Sequence, residues 1–418
     1  MHPAKSDATI PKSPRAAIEG SGRNSPCAAL KNANYRWFFV GTLVSNSGIW
    51  MARVTQDWVI LELTGSSIAV GISVALQFFP ILLFGPFGGY ISDRFQRRSV
   101  IFVAQILFAL SSLFMAGLII TTNINIRYFY LSAFIVGFSA VLDSPSKQAF
   151  ATDLVSPEQL ASALSLNAIN FQIGRLIGPS LGAIIIGYAG AGPAFAVSAF
   201  SFSIALATIR QIRVRQPKAP SNSKKIRIRG GCKYVRQNPK LLYIMLFMGV
   251  VGTFGFNYPI WLTAFADSIF QRGPQMYGFF NVVLSIGAVG GAVCVTMLSW
   301  GFISRIFVSA IGFGVCEVLA SISSCVAIFL LFLAFVGAFG LAVSVTVSTY
   351  IQHTTEIGLR GRVSGIYMAA YAGGTAIGAP VTGWVTDTFG PRPSLLLGGG
   401  VCLGAATWLR IVLRNVTH

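Results

Sequence analysis

The sequence predicts an all-α membrane protein of twelve transmembrane helices arranged as two six-helix halves. Three observations predict this fold class. Hydrophobic residues make up 54% of the 418 residues and charged residues only 10%, whereas a soluble domain carries about a quarter charged residues. Twelve apolar runs lie between charge clusters and turn residues, each near the roughly 20 residues that cross a bilayer. Basic residues collect on one side of these runs.

The predicted order of segments begins with an arm, residues 1–34, that is rich in Ser, Pro and basic residues and lacks an apolar core. We expect this arm to be disordered and cytoplasmic. Residues 35–210 form the first six-helix domain, residues 211–240 a basic cytoplasmic linker with room for a short helix near 231–239, and residues 241–414 the second domain. The predicted spans are 37–62, 67–91, 99–121, 127–147, 160–188, 191–210, 241–265, 276–299, 305–322, 325–352, 362–387 and 393–413.

The net charge of +19 is explained by topology. With the N-terminus inside, 26 of the 31 Lys and Arg residues, Lys147 among them, fall in cytoplasmic segments, and only Arg127, Arg272 and Arg392 fall in outside loops. This distribution satisfies the positive-inside rule. We therefore expect a multi-pass protein of the cytoplasmic membrane with both termini inside, whose linker lies on anionic lipid headgroups, and no nucleic-acid partner.

Cysteine and histidine usage argues against an enzyme. The six cysteines show no CxxC spacing, and two of the three histidines lie near the chain ends. We therefore expect no metal site, no catalytic residue and no cofactor. The sequence has no Gly-x-x-x-x-Gly-Lys-Ser/Thr motif, so ATP is not expected as the energy source within this chain.

An internal repeat with an offset of 200 residues supports two related halves. The matching pairs are Gly174 and Gly374, Ile177 and Ile377, Gly178 and Gly378, Gly190 and Gly390, and Pro193 and Pro393. Each segment lies in the fifth span of its half or in the following turn. Transporters built from parallel repeats bind substrate between the halves near mid-membrane, so the pattern predicts a two-domain transporter.

A polar stripe interrupts the first apolar span. Asn46, Trp50, Arg53 and Asp57 recur at spacings of four, three and four residues, which places them on one helix face. Charged residues in a span are costly and usually face a bundle interior or an aqueous cavity. The alternative is a self-satisfied Arg53–Asp57 pair near the outer surface.

Other polar residues within spans are further candidates. Arg175 lies near the middle of the fifth span, on the same broad side as Asn170, and either attracts an anionic group or forms a fixed ion pair that sets packing. Asn257 and Tyr258 in the seventh span are weaker substrate-binding candidates, because buried amides often simply bond neighbouring helices. Glu317 is the one acidic residue of the predicted ninth span.

The turn after the second span reads Gly89-Tyr90-Ile91-Ser92-Asp93-Arg94-Phe95-Gln96-Arg97-Arg98. This pattern resembles the signature between helices 2 and 3 of the major facilitator superfamily, except that Gln96 stands where Gly is usual. A positively charged stop-transfer loop would explain the bases but not Gly89 or Asp93.

The resemblance implies the major facilitator fold and a clasp made by Gly89, Asp93, Arg94, Arg97 and Arg98. Asp93 is expected to face the N-terminus of helix 11 in the outward-facing state, where a helix dipole favours an anion. Arg97 is expected to pair with an acid low in helix 4. Asp143 is the acid within the predicted fourth span.

The fifth span contains Gly174, Gly178, Pro179 and Gly182. This element resembles the Gly-x-x-x-Gly-Pro motif of the superfamily's antiporters and exporters, although plain helix packing is the alternative reading. Further matches, at Gln56-Asp57-Trp58, at Asp143-Ser144-Pro145 and at 359–363, resemble the branch of transmembrane secretion effectors, which includes enterobactin-type siderophore exporters and macrolide efflux pumps.

The sequence therefore predicts a secondary active transporter that exports a small amphiphilic molecule by alternating access, with protons as the coupling ion. Helices 1, 4, 7 and 10 line the cavity of this superfamily, so the resemblance favours the polar stripe as substrate site. Asp57, and secondarily Glu317, are the expected proton-coupling residues. We expect a monomer surrounded by lipid. An uptake or facilitated carrier of the same fold and a non-transporting receptor or assembly partner are the alternatives.

Overall fold

The computed structural model describes residues 27–122, 124–212, 228–356 and 359–415. Fourteen α-helices lie within these ranges. The first half consists of α1 (Ala33–Thr64), α2 (Ser67–Arg94), α3 (Arg97–Ile120), α4 (Ile126–Asp153), α5 (Leu160–Ala189) and α6 (Ala191–Gln211). The second half follows a linker helix, α7 (Ile228–Gln237), and consists of α8 (Pro239–Phe254), α9 (Tyr258–Ala264), α10 (Gly273–Met297), α11 (Phe302–Ile322), α12 (Val326–Thr354), α13 (Arg360–Phe389) and α14 (Pro391–Asn415).

The helices match the predicted all-α membrane fold. Ten helical segments of the described chain are long and apolar enough to cross a membrane, and one of them, Pro239–Ile269, contains both α8 and α9. The remaining two long helices, α1 with 32 residues and α13 with 30, do not reach that apolarity. Short turns hold successive helices antiparallel, as at Gly65, where φ is 60° and the residue ends α1 without a Cβ penalty.

Two ends of the bundle can be distinguished. We call the end at which α1 begins and α14 finishes the terminal side, and the opposite end the distal side. Part of the distal contact between the two halves is made by residues without bulky side chains. A Cβ built on Gly71 of α2 would lie 2.5 Å from the Ala379 carbonyl oxygen of α13, and one built on Gly383 of α13 would lie 2.5 Å from the Ser67 carbonyl oxygen of α2. Backbone therefore touches backbone across this contact.

A second distal contact joins α5 to α10. A Cβ built on Gly278 of α10 would lie 3.0 Å from the Pro179 carbonyl oxygen and would overlap the Ala183 methyl group. Toward the terminal side, nothing lies within 4 Å of a Cβ built on Gly85 of α2 or on Gly361 or Gly365 of α13. The conformation is therefore closed on the distal side.

The seventh span is interrupted, where the sequence predicted a continuous helix over 241–265. The backbone leaves the helix between α8 and α9, at residues 255–257. At this point α13 comes close, since a Cβ built on Gly378 would overlap the Thr253 carbonyl group. The contact corresponds to the packing of α5 on α1 in the first half, as the internal repeat predicts.

Three boundaries in the structure differ from the predicted ones. Helix α4 extends to Asp153 rather than to 147, so Lys147 lies inside the helix and not in a loop. Residues 28–31, assigned to the arm, form a short 3₁₀ helix, and the Ala29 N–H donates to the Ser162 hydroxyl at 3.1 Å. The second domain begins at Pro239, and the linker ends in a ten-residue helix. Residues 1–26 of the arm and 213–227 of the linker lie outside the described residues.

Candidate functional site

Helix α5 holds α1 in place through its glycine face. A Cβ built on Gly174 would lie 2.5 Å from Asn46 Cβ, and one built on Gly178 would lie 2.7 Å from Trp50 Cβ. Gly182 continues the face one turn later, 3.2 Å from Met51 Cγ. Small residues allow such close helix approach in a membrane, where packing supplies much of the association energy. The antiporter-like element therefore sets the position of the polar stripe on α1.

Two amides of the predicted substrate site, those of Asn46 and Asn170, make hydrogen bonds within the first half. The Asn46 side-chain amide donates to Asn170 Oδ1 at 3.0 Å, and the Asn170 amide donates to the Phe39 carbonyl at 2.7 Å. Both asparagines are buried. In this conformation they join α1 to α5 with their polar groups satisfied.

The other members of the site form a cluster of cations and aromatic rings, which we call the two-arginine cluster: Trp50, Arg53, Phe171 and Arg175. The guanidinium carbons of Arg53 and Arg175 lie 5.1 and 5.4 Å from the Trp50 ring centroid. The Phe171 ring meets the Trp50 ring edge to face at 5.9 Å. Two arginines that are 122 residues apart in sequence therefore share one indole.

Asp57 lies between the two halves. Its Oδ2 accepts a hydrogen bond of 3.1 Å from the Tyr277 hydroxyl of α10, and the neighbouring Trp58 ring stacks on the Tyr277 ring at 6.4 Å. Asp57 is buried, and its Oδ1 has no hydrogen-bond partner among the described residues. The self-satisfied pair with Arg53 is not formed within 4.0 Å in the described structure. The carboxylate instead joins the halves on the distal side.

In the second half, the predicted residues surround the break between α8 and α9. The Asn257 amide donates to the Thr253 carbonyl at 2.7 Å and to the Thr382 hydroxyl at 2.9 Å, which satisfies a carbonyl that the break releases. Tyr258 packs edge to face against Phe256, with ring centroids 5.9 Å apart. Asn257 therefore has a structural function in this conformation.

Glu317 is fully buried on α11. Both its carboxyl oxygens lack a hydrogen-bond partner among the described residues. The side chain lies close to the Cys402 thiol of α14, and its charge acts on the Tyr258 hydroxyl. Glu317 therefore faces the interior of the second half.

The pairing of Arg97 with Asp143 was expected for the outward-facing state and is not formed in this conformation. Arg97 forms an ion pair with Asp153 at the end of α4, beyond the predicted span. Asp143 pairs with Lys147 one turn later at 2.7 Å, and Gln105 also donates to its carboxylate at 2.9 Å. The physical reason is the length of α4. The helix continues to Asp153 on the terminal side, where Arg97 lies, and Asp143 is buried beside Lys147 one turn away.

The remaining clasp residues lie at the terminal-side ends of α2 and α3. The Arg94 guanidinium donates to the Tyr90 hydroxyl at 2.6 Å, and the Arg98 guanidinium donates to the Arg210 carbonyl at 3.1 Å. Gly89 and Asp93 belong to α2, but the Asp93 side chain lies outside the part of the chain that the structure describes.

Asp387, at the distal end of α13, is a residue that sequence reasoning missed. Its carboxylate accepts hydrogen bonds from the Ser66 hydroxyl at 2.6 Å, the Ser67 N–H at 2.6 Å and the Ile68 N–H at 3.0 Å. These groups form the N-terminus of α2, where unpaired N–H groups and the helix dipole favour an anion. Ser66 is the N-cap of α2, as its position in the sequence indicates, but the second acceptor at this helix end, Asp387, lies 321 positions away.

The comparisons with known proteins agree with this architecture. The model of the family described as "Transmembrane secretion effector" matches residues 24–418. The staphyloferrin A transporter of Staphylococcus aureus is 21% identical over 367 residues, covering 85% of this chain and 90% of that protein. The enterobactin exporter EntS of Salmonella choleraesuis is 24% identical over 371 residues, covering 87% and 88%.

A crystal structure of a D-xylose–proton symporter superposes with a TM-score of 0.71 at 16% identity, covering 90% of this chain and 96% of that one. That likeness shows the fold. The match to the family over nearly the whole chain shows a multi-pass membrane transporter and not an enzyme. The chain belongs to the transmembrane secretion effectors of the major facilitator superfamily.

Proposed function

We propose that this transporter exports a small amphiphilic molecule across the cytoplasmic membrane in exchange for protons. The relatives whose names include a siderophore support a cargo of that kind. The excess of basic residues on the terminal side supports placing both termini in the cytoplasm, so that the distally closed conformation is the inward-facing state. Alternating access then requires the distal contacts to break while the terminal side closes.

The observation that carries the proposal is the buried Asp57 carboxylate on the contact between the halves. An ionised carboxylate accepts a stronger hydrogen bond than a neutral carboxylic acid does. Protonation of Asp57 therefore weakens the bond from Tyr277 that holds α1 to α10. A group that bonds across the moving interface in one protonation state can couple proton binding to the rocking of the halves. Glu317, which does not contact the interface between the halves, is the second candidate for the proton-coupling residue.

The substrate site in this proposal is the two-arginine cluster, with Asn257 and Tyr258 on the facing half. Arg175 connects them, because its backbone carbonyl accepts a hydrogen bond of 3.4 Å from the Ser285 hydroxyl of α10 and its charge acts on the Tyr258 hydroxyl. A cargo bound here would contact both halves. Asn46 and Asn170 then support the site by fixing α1 against α5.

We also propose that Asp93 caps the start of α13 in the outward-facing state, as the resemblance implies. In that state Arg97 would keep its pair with Asp153, since both residues belong to the first half. Replacing Asp93 with Asn is expected to slow turnover without lowering the yield of folded protein, and unchanged turnover at normal yield would contradict the clasp.

The test is accumulation of siderophores, macrolides and cationic dyes in everted membrane vesicles, with and without a protonophore. Outward transport predicts protonophore-sensitive accumulation of one class. The Asp57→Asn variant should lose accumulation against a gradient while retaining counterflow of the same cargo. Glu317→Gln is the matched comparison, since it neutralises a buried carboxyl group away from the interface.

Full proton-driven accumulation by Asp57→Asn would reject Asp57 as the coupling residue. Accumulation only in right-side-out vesicles would favour the uptake carrier. Absence of flux in either orientation, with folded protein present, would favour the receptor or assembly partner.

A further inference from the structure

The two-arginine cluster carries more positive charge than its surroundings neutralise. Neither Arg53 nor Arg175 belongs to an ion pair of the described residues, and the Arg53 Nε is buried without a hydrogen-bond partner among them. Both lie within spans, where an uncompensated cation is costly. The nearest acid along α1, Asp57, has its bonded oxygen turned to Tyr277. The charge of Asp57 acts on Arg53 without forming an ion pair, so one carboxylate stands against two cations and the cluster keeps an excess of positive charge.

The geometry of the cluster fits one oxyanion. The two guanidinium carbons lie 5.1 and 5.4 Å from the same indole centroid, and the charge of Arg175 acts on Arg53. Like charges held this close repel each other, and an anion placed between them removes that repulsion. Each guanidinium offers a planar fork of donors that matches a carboxylate.

The walls of the cluster define the rest of the ligand. The Phe78 ring lies 5.9 Å from the Arg53 guanidinium, and Phe171 is about half exposed beside Trp50. An apolar, ring-containing body can stack on these faces while its charged end reaches the arginines. An organic cation would meet two positive charges against the one carboxylate of Asp57, so it fits this surface poorly.

We propose that the cargo is an organic anion, an aromatic or similarly apolar body with a carboxylate that Arg53 and Arg175 bind together on the Trp50 ring. This inference rests on the proposed function, because it assigns the charge of the exported molecule. It separates the chain from a pump for cationic drugs, which the same family resemblance would have allowed.

The test uses three probes with one ring system and different charges: naphthoate, naphthamide and naphthylmethylammonium. Binding to the purified full-length protein in lipid nanodiscs is measured by equilibrium dialysis. Naphthoate should bind at least about tenfold more tightly than either other probe, as expected for the loss of a charge-assisted contact. Equal or tighter binding of the neutral or cationic probe, or no binding of naphthoate to folded protein, would overturn the proposal.

The variants Arg53→Gln and Arg175→Gln should each weaken naphthoate binding by about tenfold. Because one carboxylate contacts both residues, the double variant should lose much less than the product of the two single effects. Arg410→Gln is the matched control, because Arg410 also stacks on a ring, at 4.4 Å from Phe307, but on α14 away from the cluster. Unchanged binding in both single variants, or fully multiplicative losses, would contradict a shared carboxylate.

Charge-preserving variants, and a binding assay that is independent of transport, keep the outcomes separate. Arg53→Lys and Arg175→Lys preserve charge in case a glutamine variant fails to fold, and each should retain part of the preference for naphthoate. The binding assay does not depend on direction or protons, so transport that is inward or insensitive to protonophore would reject the proposed function alone. Proton-driven export of a cationic dye without naphthoate binding would reject the anion assignment alone.

Discussion

Replacing Asp387 with Asn should destabilise the distally closed conformation. The carboxylate makes three hydrogen bonds to the start of α2, two of them to backbone N–H groups. The side chain is exposed, so each bond is discounted to about 0.5–1 kcal/mol, which gives about 2 kcal/mol in total. An amide keeps one acceptor oxygen and loses the charge that interacts with the helix dipole. We therefore expect Asp387→Asn to lose about half of this stabilisation of the closed conformation, roughly 1 kcal/mol. That loss increases the ratio of distally open to closed molecules about fivefold.

The change can be measured as a distance distribution between spin labels. Labels at Glu62 and Arg272, both exposed on the distal side and in opposite halves, report the separation of α1 from α10 in a cysteine-free background. Asp387→Asn should move population toward longer distances, and Asp387→Ala should move more. Asp267→Asn is the control, since it neutralises another exposed distal carboxylate that makes no hydrogen bond to α2. An unchanged distribution in Asp387→Ala would refute the reasoning.

Three other substitutions test the packing described above. Gly178→Ala places a Cβ 2.5 Å from a carbonyl oxygen of α1, so it should lower thermal stability by about 1–3 kcal/mol and reduce transport, whereas unaltered melting would contradict the tight contact. Lys147→Met should destabilise by about 3–5 kcal/mol because Asp143 is left buried and unpaired, and adding Asp143→Leu should recover much of that loss in the same denaturation assay. Arg97→Gln should cost no more than about 1 kcal/mol because its pair with α4 is partly exposed, and a larger loss of melting temperature would show that the pair is more important than its exposure indicates.

The fold could be predicted because its determinants are local. Each span is a continuous apolar run, and the basic residues in the loops indicate the orientation of the spans independently of tertiary structure. The glycine repeat also predicted correctly that Gly174 and Gly374 occupy equivalent places, since both pack against the first helix of their half. The break before Tyr258 was missed, because Gly255 and Pro259 permit a break while the packing of α13 on Thr253 decides where it occurs.

The site was predictable only in part. Arg53, Asp57 and Arg175 were identified since a charge within an apolar run is visible in sequence. Their partners were not visible, because Tyr277 lies 220 positions from Asp57 and no periodicity relates two different helices. Lys147 was misplaced for another reason. A lysine near the end of a span usually marks the interface, and only the longer α4 reveals that it neutralises a buried aspartate.

The distal contacts between the halves have a consequence for how this side of the transporter opens. At Gly71, Gly278 and Gly383 the contact consists of backbone and methyl groups, with no large side chain that could swing aside. These points of contact cannot open residue by residue in the manner of a side-chain gate. They separate when one half turns against the other as a rigid body, a movement that also parts the stacked Trp58 and Tyr277 rings, so the distal side opens along this contact in one step.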